Sequence, residues 1–209
     1  MLTMKNFTAA ILFILSLNVF AQKEEIQFGP VIKENWTYSP KVIGLNENFI
    51  YVASNESEKD RDVLQTFDRN SLKQLHSTEI EYSSYRIENF GGSFMIFYES
   101  YNKKSKTFDM KTVTRDGKTG AVINEKTILK TPVEKKKNVG GYRLMISDDK
   151  SKILIKHDCK FKKENRWQMT YALFDSNLNE LKKKVVKEHK FVYSEEHLNN
   201  DGTLLGFKY

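Results

Sequence analysis

Residues 146–155 read ISDDKSKILI, in which a polar stretch separates one isoleucine from a run of three aliphatic residues. Serine and aspartate promote tight turns, whereas isoleucine favours extended backbone. The stretch therefore predicts two antiparallel strands joined by a turn. Three further apolar runs follow a polar turn, and they begin at Phe49, Phe94 and Leu204. Together with the run that begins at Ile153, the four starts are separated by 45, 59 and 51 residues in chain order. Repeats of about this length are typical of β-propellers.

A second marker occurs in register with these runs. Asp68, Asp116 and Asp175 follow the first three run starts by 19, 22 and 22 residues, and each stands in a polar stretch. An aspartate side chain closes a tight turn by accepting hydrogen bonds from backbone amides further along the chain. An alternating segment comes after each turn, at residues 75–82, 121–129 and 181–189. Each unit therefore predicts four strands.

The last of these segments also permits a helix. Leu178, Leu181 and Val185 have helical spacing, and Asn177 with Glu180 resembles a capping box, so a helix over residues 178–190 is the alternative. The alternation of the same segment and its register with the two earlier units favour a strand.

The hairpin at residues 146–155 resembles the hairpin of bacterial TolB-like and WD40-like β-propeller repeats, and residues 198–205, LNNDGTLL, resemble it again. The turns at Asp68, Asp116 and Asp175 resemble the outer hairpins of such blades. The resemblance implies an all-β fold of antiparallel four-stranded blades over residues 43–209, used as an interaction platform or as an appendage to an enzyme. An open twisted antiparallel sheet or a sandwich is the alternative fold.

The number of units leaves the closure of such a propeller open. The chain holds three units and the start of a fourth, whereas a closed propeller needs about four blades. Residues 22–42 could supply a strand that completes the last blade. Alternatively, pairing with another copy completes it in a homo-oligomer, or the chain is a remnant or fragment of a longer propeller protein.

The N-terminus predicts an exported protein. Lys5 supplies a positive charge, residues 9–20 form an apolar run, and Ala21 is a suitable last residue before signal cleavage. The run is shorter than the roughly 20 residues of a membrane span. We therefore expect residues 1–21 to be a signal peptide, no membrane span, and a periplasmic or extracellular product. The single Cys159 allows no internal disulfide, so the fold must depend on burial.

Composition and charge narrow the class of protein. The 209 residues are 39% hydrophobic and contain 10 glycines and 3 prolines, which excludes collagen and low-complexity disorder. Residues 22–100 carry 8 positive and 13 negative charges, whereas residues 101–190 carry 24 and 11. Such asymmetry can steer an anionic partner to one side of a protein. The alternative is that the lysine clusters at 103–104, 135–137, 162–163 and 182–184 are simply solvated in loops and at strand ends.

Motifs of catalysis and cofactor binding are absent from the sequence. There is no G-x-S-x-G or H-E-x-x-H motif and no glycine-rich phosphate loop, so we expect no catalytic residue, cofactor or metal. His157 and Cys159 would share one face of a strand, but the other histidines have no ligand spacing to them. Paired carboxylates for glycoside hydrolysis depend on the fold, so a carbohydrate-active enzyme remains the alternative.

The strongest binding candidate is the segment 161–167, where aromatic and basic residues alternate. A tryptophan beside cations can stack on a sugar while the cations meet carboxylate, sulfate or phosphate groups. The alternative is that the tryptophan begins the next strand and packs between blades. We expect a non-enzymatic binding or scaffold module that contacts a protein or an anionic envelope polymer such as an acidic glycan, and no nucleic acid. The candidate residues are Phe161, Lys162, Lys163, Arg166 and Trp167.

Overall fold

The computed structural model describes residues 40–56, 61–80, 86–189 and 194–208. All of them belong to one compact unit, Ile32–Tyr209. The predicted signal peptide with its cleavage site after Ala21, and the predicted N-terminal segment up to residue 39, lie outside the described residues. Across the described part of the chain, no helix has the length and apolar composition of a membrane span.

The described residues form an all-β fold, as the sequence predicts, with three four-stranded antiparallel sheets and one two-stranded sheet. Sheet 1 contains β1 (Lys41–Leu45), β2 (Phe49–Glu56), β3 (Arg61–Asp68) and β4 (Gln74–Ile80). Sheet 2 contains β5 (Arg86–Phe90), β6 (Ser93–Asn102), β7 (Thr107–Asp116) and β8 (Val122–Pro132). Sheet 3 contains β9 (Gly141–Ile146), β10 (Lys152–Phe161), β11 (Arg166–Asp175) and β12 (Glu180–Glu188), and the terminal hairpin contains β13 (Ser194–Leu198) and β14 (Leu204–Lys208).

The three marker aspartates close equivalent turns, which confirms their predicted role. The Asp116 carboxylate accepts hydrogen bonds from the backbone amides of Lys118 and Thr119 at 3.1 and 2.7 Å and from the Thr119 hydroxyl at 2.8 Å. The Thr119 hydroxyl and these amides hold the pKa of Asp116 below its usual value. Asp68 and Asp175 accept the same kind of bonds. Each third-to-fourth strand turn is therefore specified by local chemistry.

The helix alternative for residues 178–190 is wrong. β12 is a strand that pairs along β11 from Glu188, opposite Trp167, to Glu180, opposite Phe174. A helix would satisfy its own backbone groups but leave the outer edge of β11 unpaired. The alternation of the segment, and not its helical spacing, was the informative pattern.

The sheets stack face to face through two hydrophobic clusters. One cluster lies between sheets 1 and 2 and is built from Ile43, Tyr51, Leu64, Ile80, Phe94 and Ile96. The larger cluster lies between sheets 2 and 3 and includes Phe97, Met110, Leu129, Ile153, Ile155 and Phe174. Strand β1 lies beside β5, and β9 lies beside β13, so the first strands are neighbours between sheets 1 and 2 and between sheet 3 and the terminal hairpin. The described strands thus form separate blade-like sheets and not one continuous open sheet.

Candidate functional site

The topology sorts the connections of the sheets onto two ends. In an antiparallel sheet of sequential strands, the turn after the second strand and the connection leaving the fourth strand lie at one end, and the other two turns lie at the opposite end. The first end therefore holds the turn 103–106 of sheet 2, the turn 162–165 of sheet 3 and the connection 133–140 between these sheets. The turns of the marker aspartates lie at the other end.

Hydrogen bonds join these three segments into one continuous surface. The Val133 amide donates to the Lys106 carbonyl oxygen at 3.0 Å. The Lys163 amide donates to the Glu134 carboxylate at 3.0 Å. This bond, together with a weaker one from Lys162, holds the pKa of Glu134 below its usual value, so Glu134 stays ionised and fixed to the turn. The connection 133–140 is therefore held between the two turns.

The joined surface carries a dense array of positive charge, which we call the basic face. Its acidic residues, Glu134 and Glu164, are both engaged, because Glu164 forms an ion pair with Arg166. Exposed ammonium groups that are fixed near one another raise the local positive potential. The basic face contains eight lysines, all exposed: Lys103, Lys104, Lys106, Lys135, Lys136, Lys137, Lys162 and Lys163.

The opposite end of the sheets carries both signs of charge, because its turns contain exposed basic residues such as Lys73 and Lys118 as well as aspartates. Besides the marker aspartates, its turns contain Asp149 and Asp201, whose carboxylates accept the backbone amides of Ser151 and Thr203 at 2.9 and 2.8 Å. These hydrogen bonds lower the pKa of both aspartates. Within the described residues, no three histidine, cysteine or carboxylate side chains are grouped as a metal site would require. Among the described turns, the basic face therefore has a large excess of positive charge, whereas the opposite end has mixed charge.

The predicted binding segment is a tight turn and not a long loop. β10 ends at Phe161 and β11 begins at Arg166, so only residues 162–165 connect them, and Asn165 has a left-handed φ of 44°. Phe161 packs against the larger hydrophobic cluster, and the Arg166 guanidinium lies 4.3 Å from the centre of its ring. These two side chains cover the core at the edge of the basic face.

Trp167 lies on the other side of sheet 3. It is directly opposite Lys160 on β10, and the Lys160 ammonium is 5.8 Å from the centre of the indole ring. The structure therefore brings Lys162 and Lys163 onto the basic face but places Phe161 and Trp167 on opposite faces of the sheet. The lysines at 103–106 and 135–137 join this surface only through the topology, which the spacing within the sequence does not reveal.

His157 and Cys159, which are two positions apart, point into the core on one face of β10. The His157 Nε2 atom is 2.7 Å from the Val139 carbonyl oxygen, and its ring lies 4.5 Å from the Tyr142 ring. Burial lowers the pKa of His157 to about 4 and raises the pKa of Cys159 to about 11. The histidine is therefore neutral and the cysteine is an unreactive thiol at pH 7.

A groove of about 900 Å³ lies on the outer face of sheet 3, beside the terminal hairpin. Met169, Leu173 and Val186 contribute apolar surface, and Lys182 and Lys184 stand along it. The hairpin is attached to sheet 3 through an ion pair between Lys156 and Glu196 at 2.8 Å, in which the two side chains are only 1% and 6% exposed.

The Lys156 ammonium is stabilised in its charged form. Burial alone lowers its pKa, but the hydrogen bond to Glu196 and the nearby Asp158 outweigh this effect, so its pKa is raised. The Tyr171 ring, 5.3 Å from the ammonium, adds a cation–π contact.

Comparisons with known proteins add no family to this description. No protein-family model matches the chain, and no curated protein matches its sequence. The functional interpretation therefore rests on the geometry and the charges of the site.

Proposed function

We propose that this chain is a non-enzymatic binding module that holds an anionic polymer on its basic face. The observation that carries the proposal is the array of eight exposed lysines fixed on three hydrogen-bonded segments. Polymers with repeated carboxylate, sulfate or phosphate groups match such an array, because each successive anion meets another ammonium group.

The arrangement of the surrounding residues supports the same function. Glu134 accepts a hydrogen bond from the Lys163 amide, and Glu164 is paired with Arg166. Both carboxylates are therefore engaged with groups other than the lysine ammonium groups of the basic face. The sheets hold the three segments at fixed separations, which lowers the entropy that binding would otherwise cost. The resemblance to TolB-like repeats, which commonly act as interaction platforms, agrees with a binding role. For an exported protein, acidic glycans and phosphate polymers of the cell envelope are the matching ligands.

The test compares two double variants that change the net charge equally. Lys162→Glu with Lys163→Glu alters the basic face, whereas Lys73→Glu with Lys118→Glu alters exposed lysines at the opposite end. We expect the first variant to bind heparin at least about tenfold more weakly than the native chain, equivalent to about 1.4 kcal/mol. The second variant should bind nearly as well as the native chain.

The result that contradicts the proposal is an equal loss in both variants, because net charge alone would then explain retention. Circular dichroism of each variant shows whether the fold is intact. Trp167→Ala tests the predicted stacking contact separately, since Trp167 lies on the other face of sheet 3. Unchanged heparin binding in that variant would limit the site to the lysines.

A further inference from the structure

Among the described residues, the terminal hairpin covers about half of the outer face of sheet 3. β13 lies beside β9, and Glu196 reaches Lys156 on β10. The part of this face formed by β11 and β12 lines the groove. In contrast, the faces between sheets 1 and 2 and between sheets 2 and 3 are each covered by four strands. The groove therefore has the place and the shape of additional β-strands.

The edge of the hairpin that borders the groove presents backbone groups for pairing. The Asn199 amide donates to the Thr203 carbonyl at 2.9 Å, which makes this pair a hydrogen-bonded one. Because such pairs alternate along an antiparallel ladder, the amides and carbonyls of Leu204 and Gly206 point away from β13. Both residues line the groove, and among the described strands none pairs with this edge of β14.

The chemistry of the groove differs along its length. Met169 and Val186 are opposite each other on β11 and β12 and form an apolar end. Towards the other end, Lys184 and Lys182 lie on the groove side of β12, opposite Tyr171 and Leu173. Three carboxylates also line the groove: Glu196 is paired with Lys156, Asp201 accepts hydrogen bonds from Thr203, and Glu188 lies beyond the apolar end. An extended chain that lies antiparallel to β14 would meet the apolar end first and the lysines last.

We propose that the groove binds an extended segment of a partner protein, which adds to β14 as an antiparallel strand. The segment carries apolar side chains over Met169 and Val186 and carboxylates towards Lys182 and Lys184. Strand addition of this kind takes affinity from main-chain hydrogen bonds and specificity from alternate side chains. This inference is independent of the basic face, because Lys182 and Lys184 belong to a different surface.

Pairing between the β14 strands of two copies does not fit the groove. Antiparallel pairing of two β14 strands relates them by a twofold axis perpendicular to the shared sheet. Both copies of sheet 3 would then lie on the same side of that sheet, and one copy would occupy the groove of the other. A separate extended segment avoids this overlap.

The test uses a labelled, capped peptide, Val-Thr-Val-Thr-Glu-Thr-Glu, and the purified full chain. When the peptide lies antiparallel to β14, its valines face Met169 and Val186 and its glutamates face Lys184 and Lys182. We expect saturable binding by fluorescence anisotropy and at least tenfold weaker binding of the same peptide with lysine in place of glutamate. Binding should also slow the amide exchange of Leu204 and Gly206.

The register of β12 supplies a matched control. Lys182→Glu with Lys184→Glu reverses charge on the groove side, whereas Lys183→Glu with Lys187→Glu makes the same change on the other side of the strand. The first variant should lose at least tenfold in affinity for the peptide, and the second should stay within about twofold. Equal loss in both variants would overturn the proposal.

Two other results would also overturn it. Failure of the native chain to bind the peptide, with Leu204 and Gly206 amides already protected at every protein concentration, would mean that the chain fills its own groove. Protection that increases with protein concentration would show self-association instead. Neither result bears on heparin binding by the basic face, so the two proposals are tested separately.

Discussion

The buried ion pair between Lys156 and Glu196 makes a quantitative prediction about how the terminal hairpin is held. Glu196→Leu removes the carboxylate 2.8 Å from an ammonium group that is 1% exposed. Breaking a buried pair by removing one partner costs about 3–5 kcal/mol. Asp158, 3.8 Å from the same ammonium, retains part of the compensation, so we expect the lower end, about 3 kcal/mol.

The loss should be confined to the attachment of the hairpin. Native-state hydrogen exchange resolves such local opening, because each amide reports the free energy of the smallest opening that exposes it. The amides of His197 and Leu205, which are paired within the hairpin, should lose protection by about a hundredfold. Amides of β6 and β7, which lie in the centre of sheet 2, should keep theirs.

The double variant Lys156→Met with Glu196→Leu provides the decisive comparison. Replacing a buried pair by apolar residues of similar size is often neutral or even stabilising, so we expect it to cost less than about 1 kcal/mol. If the single and the double variants destabilise the hairpin equally, the unpaired ammonium of Lys156 does not account for the loss in Glu196→Leu. The reasoning would then be wrong. A uniform loss of protection across all sheets would also refute it.

Two further predictions concern the core of sheet 3 and its connection. His157 has a folded-state pKa of about 4 against an ordinary 6.5, so the unfolded chain binds a proton first and stability falls as the pH drops from about 6.5 towards 4. Between pH 6.5 and pH 4, the free energy of unfolding measured in urea should fall by about 3 kcal/mol less in His157→Gln than in the native chain. Gly140→Ala should destabilise the fold by at least about 2 kcal/mol more than Gly91→Ala in thermal melts. Both glycines have left-handed φ angles, but only at Gly140 would the added Cβ overlap a backbone carbonyl, that of Asp158, and equal effects would contradict this explanation.

Local chemistry made most of the fold predictable. The turns at Asp68, Asp116 and Asp175 depend on hydrogen bonds between residues no more than four positions apart, so their pattern is visible in the sequence. The strands that follow these turns are also visible in the sequence, because successive side chains of a strand face opposite sides. The competing helical spacing of residues 178–190 lost because pairing with β11 decides the outcome, and that pairing is a tertiary interaction.

The candidate site was less predictable. It depends on the exact length of a turn and on contacts between residues that are far apart in the sequence. Phe161 and Trp167 fall on opposite faces because the turn between their strands has only four residues, which places Phe161 opposite Arg166. The burial of Lys156 had no signal in the sequence, since its partner Glu196 is 40 residues away. The common location of the lysines of the basic face can be recognised only once the strand topology shows which turns share one end of the sheets.

The sequential order of strands within each sheet has a consequence for how such a chain can change over generations. Every sheet is made from one uninterrupted stretch of sequence, and no strand is borrowed from a distant stretch among the described residues. Gain or loss of one whole unit by duplication or deletion of its coding segment would alter only the two stacking faces beside it, as in other repeat arrays. The lysine-rich connections would travel with the units, so the length of the charged surface could be adjusted in steps without redesign of the core.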